Sequence, residues 1–263
     1  MLVRAVLEGT IVAIYVAIGA GRSMDTLPIG YGRRSVLVQL TPAKVWPMEP
    51  EAAPKRPEDG AARSDYWEGV HHGKDEDGVS WWQSVPELSL GLVDETGLGA
   101  DRSVIDVGAG WSTLVDHLVE RGYTDLTAID LSLTALNTVR DRVGEVPGHL
   151  NLDVADVLDF RPPRQFALWH DRAVFHFLTE EDERDDYRLS LRHCLEPGAF
   201  VVVATFGPDG PLTCSGLPIV RYTHAELAAE FPGYRLLSTS GEDHITPWGT
   251  RQQFTAILLK DER

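Results

Sequence analysis

Cysteine is scarce in this chain, with only Cys194 and Cys214 among 263 residues. Neither belongs to a C-x-x-C pair or to a histidine-rich cluster, so their spacing argues against a disulfide framework and against a structural zinc site. We therefore predict no metal site. This cysteine usage is typical of proteins in a reducing compartment, and the cytoplasm is the location we expect.

Positive charge is also in short supply, since 24 Lys and Arg residues face 40 Asp and Glu residues and the formal net charge is −16. The imbalance falls on residues 61–263, which hold 17 basic and 34 acidic residues. Nucleic-acid binding depends on basic side chains that neutralise phosphates. An acidic body repels a polyanion, so we expect no nucleic-acid partner.

Long apolar runs are missing as well. The apolar run at residues 10–18 is well short of the roughly 20 residues that a membrane-spanning helix needs. Its β-branched residues predict a strand instead. We therefore expect no membrane association.

A proline-rich stretch divides the chain. Pro42, Pro47, Pro50, Pro54 and Pro57 fall within 16 residues among charges and alanines, a composition that favours an extended linker. We place the boundary near Ala61. Residues 1–60 are then an N-terminal extension of undetermined fold, and residues 61–263 form the main domain.

The most telling feature is a buried strand that runs into a glycine turn at residues 104–112. Asp106 precedes the glycines Gly108 and Gly110, which allow backbone N–H groups to approach a ligand closely. Asp130 ends the next predicted strand and Asp156 follows a third, at residues 150–154. Parallel strands end at one edge of a sheet, so these three acids should line one crevice.

Strand and helix patterns alternate from residue 65 onward, which predicts a doubly wound α/β fold with helices on both faces of a mostly parallel sheet. Ser112 and Ser132 are predicted helix caps, and Thr223 with Glu226 forms a predicted capping box. An acidic helix is predicted from Thr179. Residues 196–198 predict a turn, and residues 206–218 predict a long loop.

Two classes of nucleoside ligand suit this layout. A dinucleotide fingerprint needs a third glycine three residues after the second, where this chain has Thr113. S-adenosylmethionine carries a sulfonium and an ammonium group, so an acidic wall suits it better than it suits a diphosphate. A nicotinamide-dependent dehydrogenase is kept as the less favoured alternative.

At this point the sequence resembles the class I, seven-stranded S-adenosylmethionine-dependent methyltransferases over roughly residues 65–260. The resemblance rests on the first motif at residues 106–110, on Asp130, on the pair Asp156–Val157 and on the WHDRAVFHFL segment at residues 169–178. That segment is similar to one in a bacterial group of methyltransferase-domain proteins. The resemblance implies a strand order of 3-2-1-4-5-7-6, with the last strand antiparallel, and S-adenosylmethionine as cofactor.

Eleven residues are the expected cofactor contacts: Asp106, Gly108, Ala109, Gly110, Ser112, Asp130, Leu131, Asp156, Val157, His170 and Trp82. We predict Trp82 and Gln83 on the cofactor side from the resemblance alone. Trp67 and Trp81 are expected to pack an N-terminal helix onto the sheet. His71 and His72 stand beside charged residues, which predicts a mobile polar loop more than a metal site.

Three residues after the fourth predicted strand are the candidates for catalysis. His170, Asp171 and His176 lie where a methyl acceptor would be bound or deprotonated. We expect a methyltransferase whose acceptor is a small molecule. A protein lysine methyltransferase is the leading alternative, because Asp171 and Arg172 resemble the start of an Asp-Lys-Gly-Thr segment found in some of those enzymes. An inactive cofactor-binding module is a further alternative.

Overall fold

A computed structural model describes residue 57, residues 59–73 and residues 78–263, together with the backbone of four strands before them. The chain forms two compact units, Met1–Glu51 and Ala52–Arg263. In the first unit, β1 (Leu2–Leu7) pairs antiparallel with β2 (Thr10–Tyr15), and β3 (Thr26–Tyr31) pairs antiparallel with β4 (Arg34–Gln39). The predicted proline-rich linker lies outside the described residues except for Pro57.

The second unit alternates helices and strands. Its elements are α1 (Gly60–His71), α2 (Glu87–Thr96), β5 (Val104–Val107), α3 (Leu114–Glu120), β6 (Asp125–Asp130), α4 (Leu133–Val143), β7 (His149–Val154), β8 (Phe166–Arg172), α5 (Glu181–Cys194), β9 (Leu195–Phe206), β10 (Thr213–Cys214), β11 (Leu217–Pro218), α6 (His224–Ala229), β12 (Tyr234–Ile245) and β13 (Arg251–Asp261). A short 3-10 helix, Phe175–Phe177, follows β8. Among the described residues, no helix is both long enough and apolar enough to cross a membrane.

Seven strands form one sheet in the order β7-β6-β5-β8-β9-β13-β12. The first five are parallel, while β13 runs antiparallel to both β9 and β12. Numbered along the sheet, this order is 3-2-1-4-5-7-6. The predicted fold class and the order implied by the resemblance are both confirmed.

The core lies on both faces of the central strands. In β9, Val202 packs into one apolar cluster while its neighbours Val201 and Val203 pack into the other. Successive strand residues point to opposite faces, so a continuous apolar run suits a strand covered on both sides. Each fully buried valine contributes about 1.5–3 kcal/mol by leaving water. This rigid centre fixes the positions of the strand ends.

Local sequence signals set most helix boundaries. The Ser132 side chain accepts a hydrogen bond from the Ala135 N–H at 3.1 Å, and the capping box of Thr223 and Glu226 is formed. The helix predicted after Ser112 begins at Leu114, whose N–H donates to Ser112 Oγ at 3.1 Å. The acidic helix begins at Glu181 rather than at Thr179.

Two predictions about the segments that connect helices and strands are wrong in detail. The predicted turn at residues 196–198 is an irregularity inside β9, where the register against β8 shifts. Gly198, at φ +77°, bends the strand without ending its pairing. The predicted loop at residues 206–218 contains a small hairpin of β10 and β11, because Gly216 and Ser215 take the positive φ angles that a tight turn needs.

Candidate active site

A cleft of about 780 Å³, its open mouth included, lies at the carboxyl ends of the parallel strands. Six of the predicted cofactor residues line it: Gly108, Gly110, Asp130, Leu131, Asp156 and Val157. A smaller hollow of about 380 Å³ shares Gly108, Trp81 and Arg172 with the cleft. Four more predicted residues line this hollow: Asp106, Ala109, Ser112 and His170. Of the three strand-end acids, Asp130 and Asp156 line the cleft and Asp106 lines the smaller hollow.

Trp82 is the exception. It is half-buried and packs against Val79, Trp111 and Ala135, and it lines neither space. Its neighbour Trp81 lines both. The prediction exchanged the roles of the two tryptophans, because sequence alone does not show which of two adjacent side chains turns toward the sheet ends.

The glycine turn brings the backbone to the cleft floor. Gly108 and Gly110 have φ angles of +63° and +49°, in the region that favours glycine. A Cβ atom at Gly108 would overlap Cγ2 of Val174, which follows β8. Gly108 is thus required both by its backbone angle and by the close approach of the neighbouring strand end.

Asp130 is locked in place by two backbone groups. Its Oδ2 accepts from the Gly110 N–H and its Oδ1 from the Ser132 N–H, both at 2.8 Å. Burial raises the pKa of Asp130, and the hydrogen bonds from the two backbone N–H groups oppose that rise. The carboxylate ties the glycine turn to the start of α4, and it forms part of the cleft wall.

Asp156 is tied to helix α1. Its Oδ2 accepts from Arg63 Nε at 2.7 Å and lies 2.6 Å from Arg63 Nη2, and both side chains are almost fully buried. Ser64 of the same helix donates to the Leu131 carbonyl at 2.8 Å, and Glu68 accepts from the Ser132 hydroxyl at 2.8 Å. Helix α1 therefore crosses the cleft and is bonded to its rim.

A buried chain of three side chains holds Asp106. Its Oδ1 lies 2.6 Å from His170 Nδ1, and His170 Nε2 lies 2.8 Å from Ser89 Oγ. Because a carboxylate only accepts, Nδ1 carries the proton and Nε2 accepts from the Ser89 hydroxyl. The second oxygen, Oδ2 of Asp106, is buried without a hydrogen-bond partner among the described residues.

Arg172 is the matching donor on the same hollow. Its guanidinium lies 4.2 Å from the centre of the Phe254 ring, and Nη1 donates to the Trp81 carbonyl at 3.2 Å. Its Nε and Nη2 are buried and find no hydrogen-bond partner among the described residues. Burial lowers the pKa of Arg172, and the charge of Glu242 opposes that shift. The hollow thus offers one carboxylate oxygen and two N–H donors without partners.

Asp171 and His176 do not reach the cleft, which corrects their predicted catalytic role. Asp171 accepts from the Tyr187 hydroxyl at 2.6 Å and from the Val174 N–H at 2.9 Å. Burial raises its pKa to about 6. His176 packs between Phe177 and Phe206, and burial lowers its pKa to about 3. Both are enclosed groups that shape the chain after β8.

His170 is also unsuited to proton transfer, because both ring nitrogens already have partners. Its expected place beside the cofactor agrees with the geometry, since it lines the smaller hollow.

The sequence reasoning missed several cleft residues as ligand contacts, among them Trp67, Trp81, His71 and Arg172. His71 does not lie in a mobile loop; it is the buried last residue of α1. The i, i+4 spacing of Trp67 and His71 was the available signal, since it places both on one face of a helix. Cys214, the last residue of β10, also lines the cleft, and burial raises the pKa of its thiol to about 12.

Residues 104–198 match a family model described as a methyltransferase domain. A mouse eEF1A lysine and N-terminal methyltransferase is 27% identical over 46% of this chain and 17% of its own length. A zebrafish EEF1A lysine methyltransferase 2 is 25% identical over 41% of this chain and 49% of its own. The chain therefore matches no more than about half the length of these curated relatives.

The fold is shared with a 1,6-didemethyltoxoflavin-N1-methyltransferase of Burkholderia thailandensis, solved with its namesake compound and S-adenosylhomocysteine bound. The TM-score is 0.60 at 16% identity, over 90% of this chain and 99% of the other. The second unit has the sheet order and strand-end cleft of the class I methyltransferase fold, and the methyltransferase-domain match lies within this unit. Hydride transfer by a nicotinamide dehydrogenase is not supported.

Proposed function

We propose that the protein transfers the methyl group of S-adenosylmethionine to an uncharged small molecule held in the cleft beneath α1. One observation carries this proposal. The carboxylates Asp130 and Asp156 lie in the same cleft as an uncharged wall that includes Trp67, Phe177 and Cys214. The carboxylates suit the polar groups of a nucleoside, and the uncharged wall suits an apolar or aromatic acceptor.

The amino-acid end of the cofactor is assigned to the smaller hollow. A free α-amino acid group carries an ammonium and a carboxylate. Asp106 Oδ2 is a buried acceptor without a partner, and the Nε and Nη2 of Arg172 are buried donors without partners. Buried polar atoms of this kind are costly unless a ligand satisfies them. The two residues complement both charges of the group, so the hollow fits the cofactor.

The adenosine end is assigned to the larger cleft. Asp130 is the expected partner of the ribose, and Asp156 with Val157 is the expected neighbour of the adenine. Trp67 and Trp81 line the same cleft, where the face of an aromatic ring would stabilise a cation such as a sulfonium.

The sulfonium activates the methyl group for displacement when the cofactor is bound. The protein then has to position the acceptor in line and keep water out. Helix α1 covers the cleft and its aromatic side chains exclude water. Since His170, Asp171 and His176 offer no free base, we propose that transfer relies on alignment more than on proton abstraction.

Protein lysine methylation is the second candidate, and the similarity to the mouse and zebrafish lysine methyltransferases favours it. The resemblance of Asp171 and Arg172 to the Asp-Lys-Gly-Thr segment supports lysine methylation only weakly. Asp171 is buried and accepts a hydrogen bond from the Tyr187 hydroxyl. The described carboxylates on the cleft wall are likewise bonded within the protein, at Asp130 and Asp156. A lysine ammonium would find little free negative charge there.

Calorimetry with purified protein tests the cofactor assignment. S-adenosylmethionine should bind and NAD should not. Asp106→Asn should weaken S-adenosylmethionine binding about tenfold or more, because it removes a charge-assisted acceptor that contributes roughly 1.5–3 kcal/mol. Asp101→Asn is the matched control, since Asp101 is exposed. Preference for NAD, or equal affinity of the two variants, would contradict the assignment.

Methyl-labelled S-adenosylmethionine and a cell extract test the acceptor. After incubation, the label is separated into small-molecule and protein fractions. We expect it among small molecules, with Asp106→Asn and Asp101→Asn as weak and full-activity references. Label in the protein fraction alone would favour lysine methylation, and no transfer would favour the inactive module.

A further inference from the structure

His71 has one ring nitrogen that the protein uses and one that it does not. Nδ1 lies 2.9 Å from the Trp67 carbonyl oxygen. A carbonyl only accepts, so Nδ1 carries the proton, and Nε2 is the acceptor of that neutral tautomer. The residue is 2% exposed, and Nε2 has no hydrogen-bond partner among the described residues. A buried acceptor of this kind calls for a donor from a ligand.

The unused nitrogen faces the cleft floor beside a second acceptor. A Cβ atom placed on Gly110 would lie 3.7 Å from His71 Nε2 and 3.8 Å from Asp130 Oδ2. A histidine lone pair and a carboxylate oxygen therefore converge above the same glycine. Aromatic packing holds the imidazole there, with the Trp111 ring centre at 4.8 Å and the Trp81 ring centre at 6.1 Å.

The chemistry of the two acceptors indicates the ligand group. Asp130 Oδ2 already accepts the Gly110 N–H, and a carboxylate oxygen has room for one more donor. A vicinal diol supplies two neighbouring O–H donors, one for each acceptor. The ammonium and carboxylate of the cofactor have complementary groups elsewhere, at Asp106 and Arg172.

We propose that His71 Nε2 accepts a hydrogen bond from one ribose hydroxyl of the cofactor, beside Asp130, and so selects for an intact ribonucleoside. This inference rests on the proposed binding of S-adenosylmethionine in the cleft. It gives helix α1 a direct part in recognition of the cofactor as well as in covering it.

Two substitutions test the roles of the two ring nitrogens of His71 separately. His71→Asn places an amide N–H where Nδ1 lies and leaves nothing at Nε2. His71→Gln places an amide group near Nε2. His72→Asn is the matched control, because His72 is the adjacent residue and is exposed. Calorimetry measures the affinity of each protein for S-adenosylhomocysteine and for its 2′-deoxy and 3′-deoxy analogues, and circular dichroism reports folding.

We expect His71→Asn to bind S-adenosylhomocysteine about two- to tenfold more weakly than the unaltered protein, the range for one lost hydrogen bond. One deoxy analogue should then bind this variant as well as the parent ligand does, although the unaltered protein distinguishes the two. His71→Gln should recover part of the discrimination, and His72→Asn should retain all of it.

The inference is overturned if His71→Asn discriminates against both deoxy analogues as strongly as the unaltered protein does. The same holds if binding is unchanged and only the rate of methyl transfer falls, which would assign Nε2 to the acceptor. If His71→Asn does not fold, His71→Gln decides: a smaller affinity ratio between S-adenosylhomocysteine and one deoxy analogue than in the unaltered protein supports the inference, and unaltered ratios for both analogues contradict it. Failure of the unaltered protein to bind S-adenosylhomocysteine would instead overturn the proposed function.

Discussion

Two titratable residues, Asp171 near the end of β8 and His176 just after it, were expected to do chemistry and are instead buried in the core. His176 and Asp171 have pKa shifts in opposite directions, and each shift has burial as its largest cause. Burial favours the neutral form of any ionisable group, which lowers the pKa of a histidine and raises that of a carboxylic acid. These two pKa shifts therefore make the free energy of unfolding depend on pH.

His176 should make the fold less stable in acid. Its pKa falls from 6.5 to about 3 on folding, so the unfolded chain takes up a proton below pH 6.5 that the folded chain refuses. The contribution of neutral His176 to the free energy of unfolding is complete above pH 6.5 and is lost as the pH falls toward 3. Asp171 acts oppositely, since its stabilisation is present below pH 3.8 and is lost as the pH rises through about 6.

Urea unfolding of the unaltered protein and of His176→Gln isolates the histidine, because both contain Asp171. The difference in unfolding free energy should be largest near pH 7.5 and should shrink by up to about 1.4 kcal/mol per pH unit below pH 6.5. His72→Gln, at an exposed site, should show no such trend. A constant difference between pH 7.5 and 4.5 would refute the assignment.

Gly108 should tolerate no side chain. Ala at this position meets an unfavourable φ of +63° and the Val174 side chain, and we expect a loss of about 2–4 kcal/mol in unfolding free energy together with loss of S-adenosylhomocysteine binding. Gly122→Ala is the control. Gly122 has φ +83° with nothing within 4 Å of the added carbon, so only about 1–2 kcal/mol should be lost.

Denaturant unfolding measures both losses, and Val174→Ala combined with Gly108→Ala should recover part of the stability. Equal losses for the two single variants would show that the close approach of Val174 is unimportant.

At the scale of elements, α1 is held to the cleft rim by polar contacts. Its Arg63 pairs with Asp156 where both side chains are 10% exposed or less. Breaking a buried pair leaves an uncompensated charge and costs about 3 kcal/mol or more, whereas an exposed pair contributes about 0–1 kcal/mol. The attachment of this helix therefore depends on a few residues.

Arg63→Met should accelerate hydrogen exchange in residues 60–71 and weaken S-adenosylhomocysteine binding. The control is Arg164→Met, because Arg164 pairs with Asp125 at an exposed site, with side chains 40% and 28% exposed. We expect a loss of about 3 kcal/mol in unfolding free energy for the first and less than about 1 kcal/mol for the second. Exchange in α1 that is equal in both variants would contradict the role of this ion pair.

At the scale of the whole molecule, the sequence predicts a junction in the proline-rich stretch, where Lys44 and Lys55 are sites for trypsin. We expect limited digestion to cut there first and to release a fragment starting near residue 57. That fragment should bind S-adenosylhomocysteine with unchanged affinity by calorimetry. Earlier cleavage inside residues 78–263, or a fragment that no longer binds, would show that the division is misplaced.

Much of the second unit could be predicted from the chain because the signals are local. The strand at residues 104–107, the helix after Ser132 and the capping box of Thr223 follow from residue type and spacing over a few positions. The grouping of Asp106, Asp130 and Asp156 also followed, since parallel strands must end at one edge. The position of β13 between β9 and β12 came from resemblance, because periodicity does not encode strand order.

By itself, the sequence determined most of the elements, the fold class and the edge of the sheet where the cleft lies. Only the tertiary structure decided which side chains face that space. Asp171 and His176 turned inward, while Trp81 and His71 reached the cleft, and Arg63 met Asp156 from 93 residues away. The physical reason is the distance over which each signal acts. Helix caps and apolar periodicity act over one or two turns, whereas the direction of a side chain and its partners depend on how distant parts of the chain pack together.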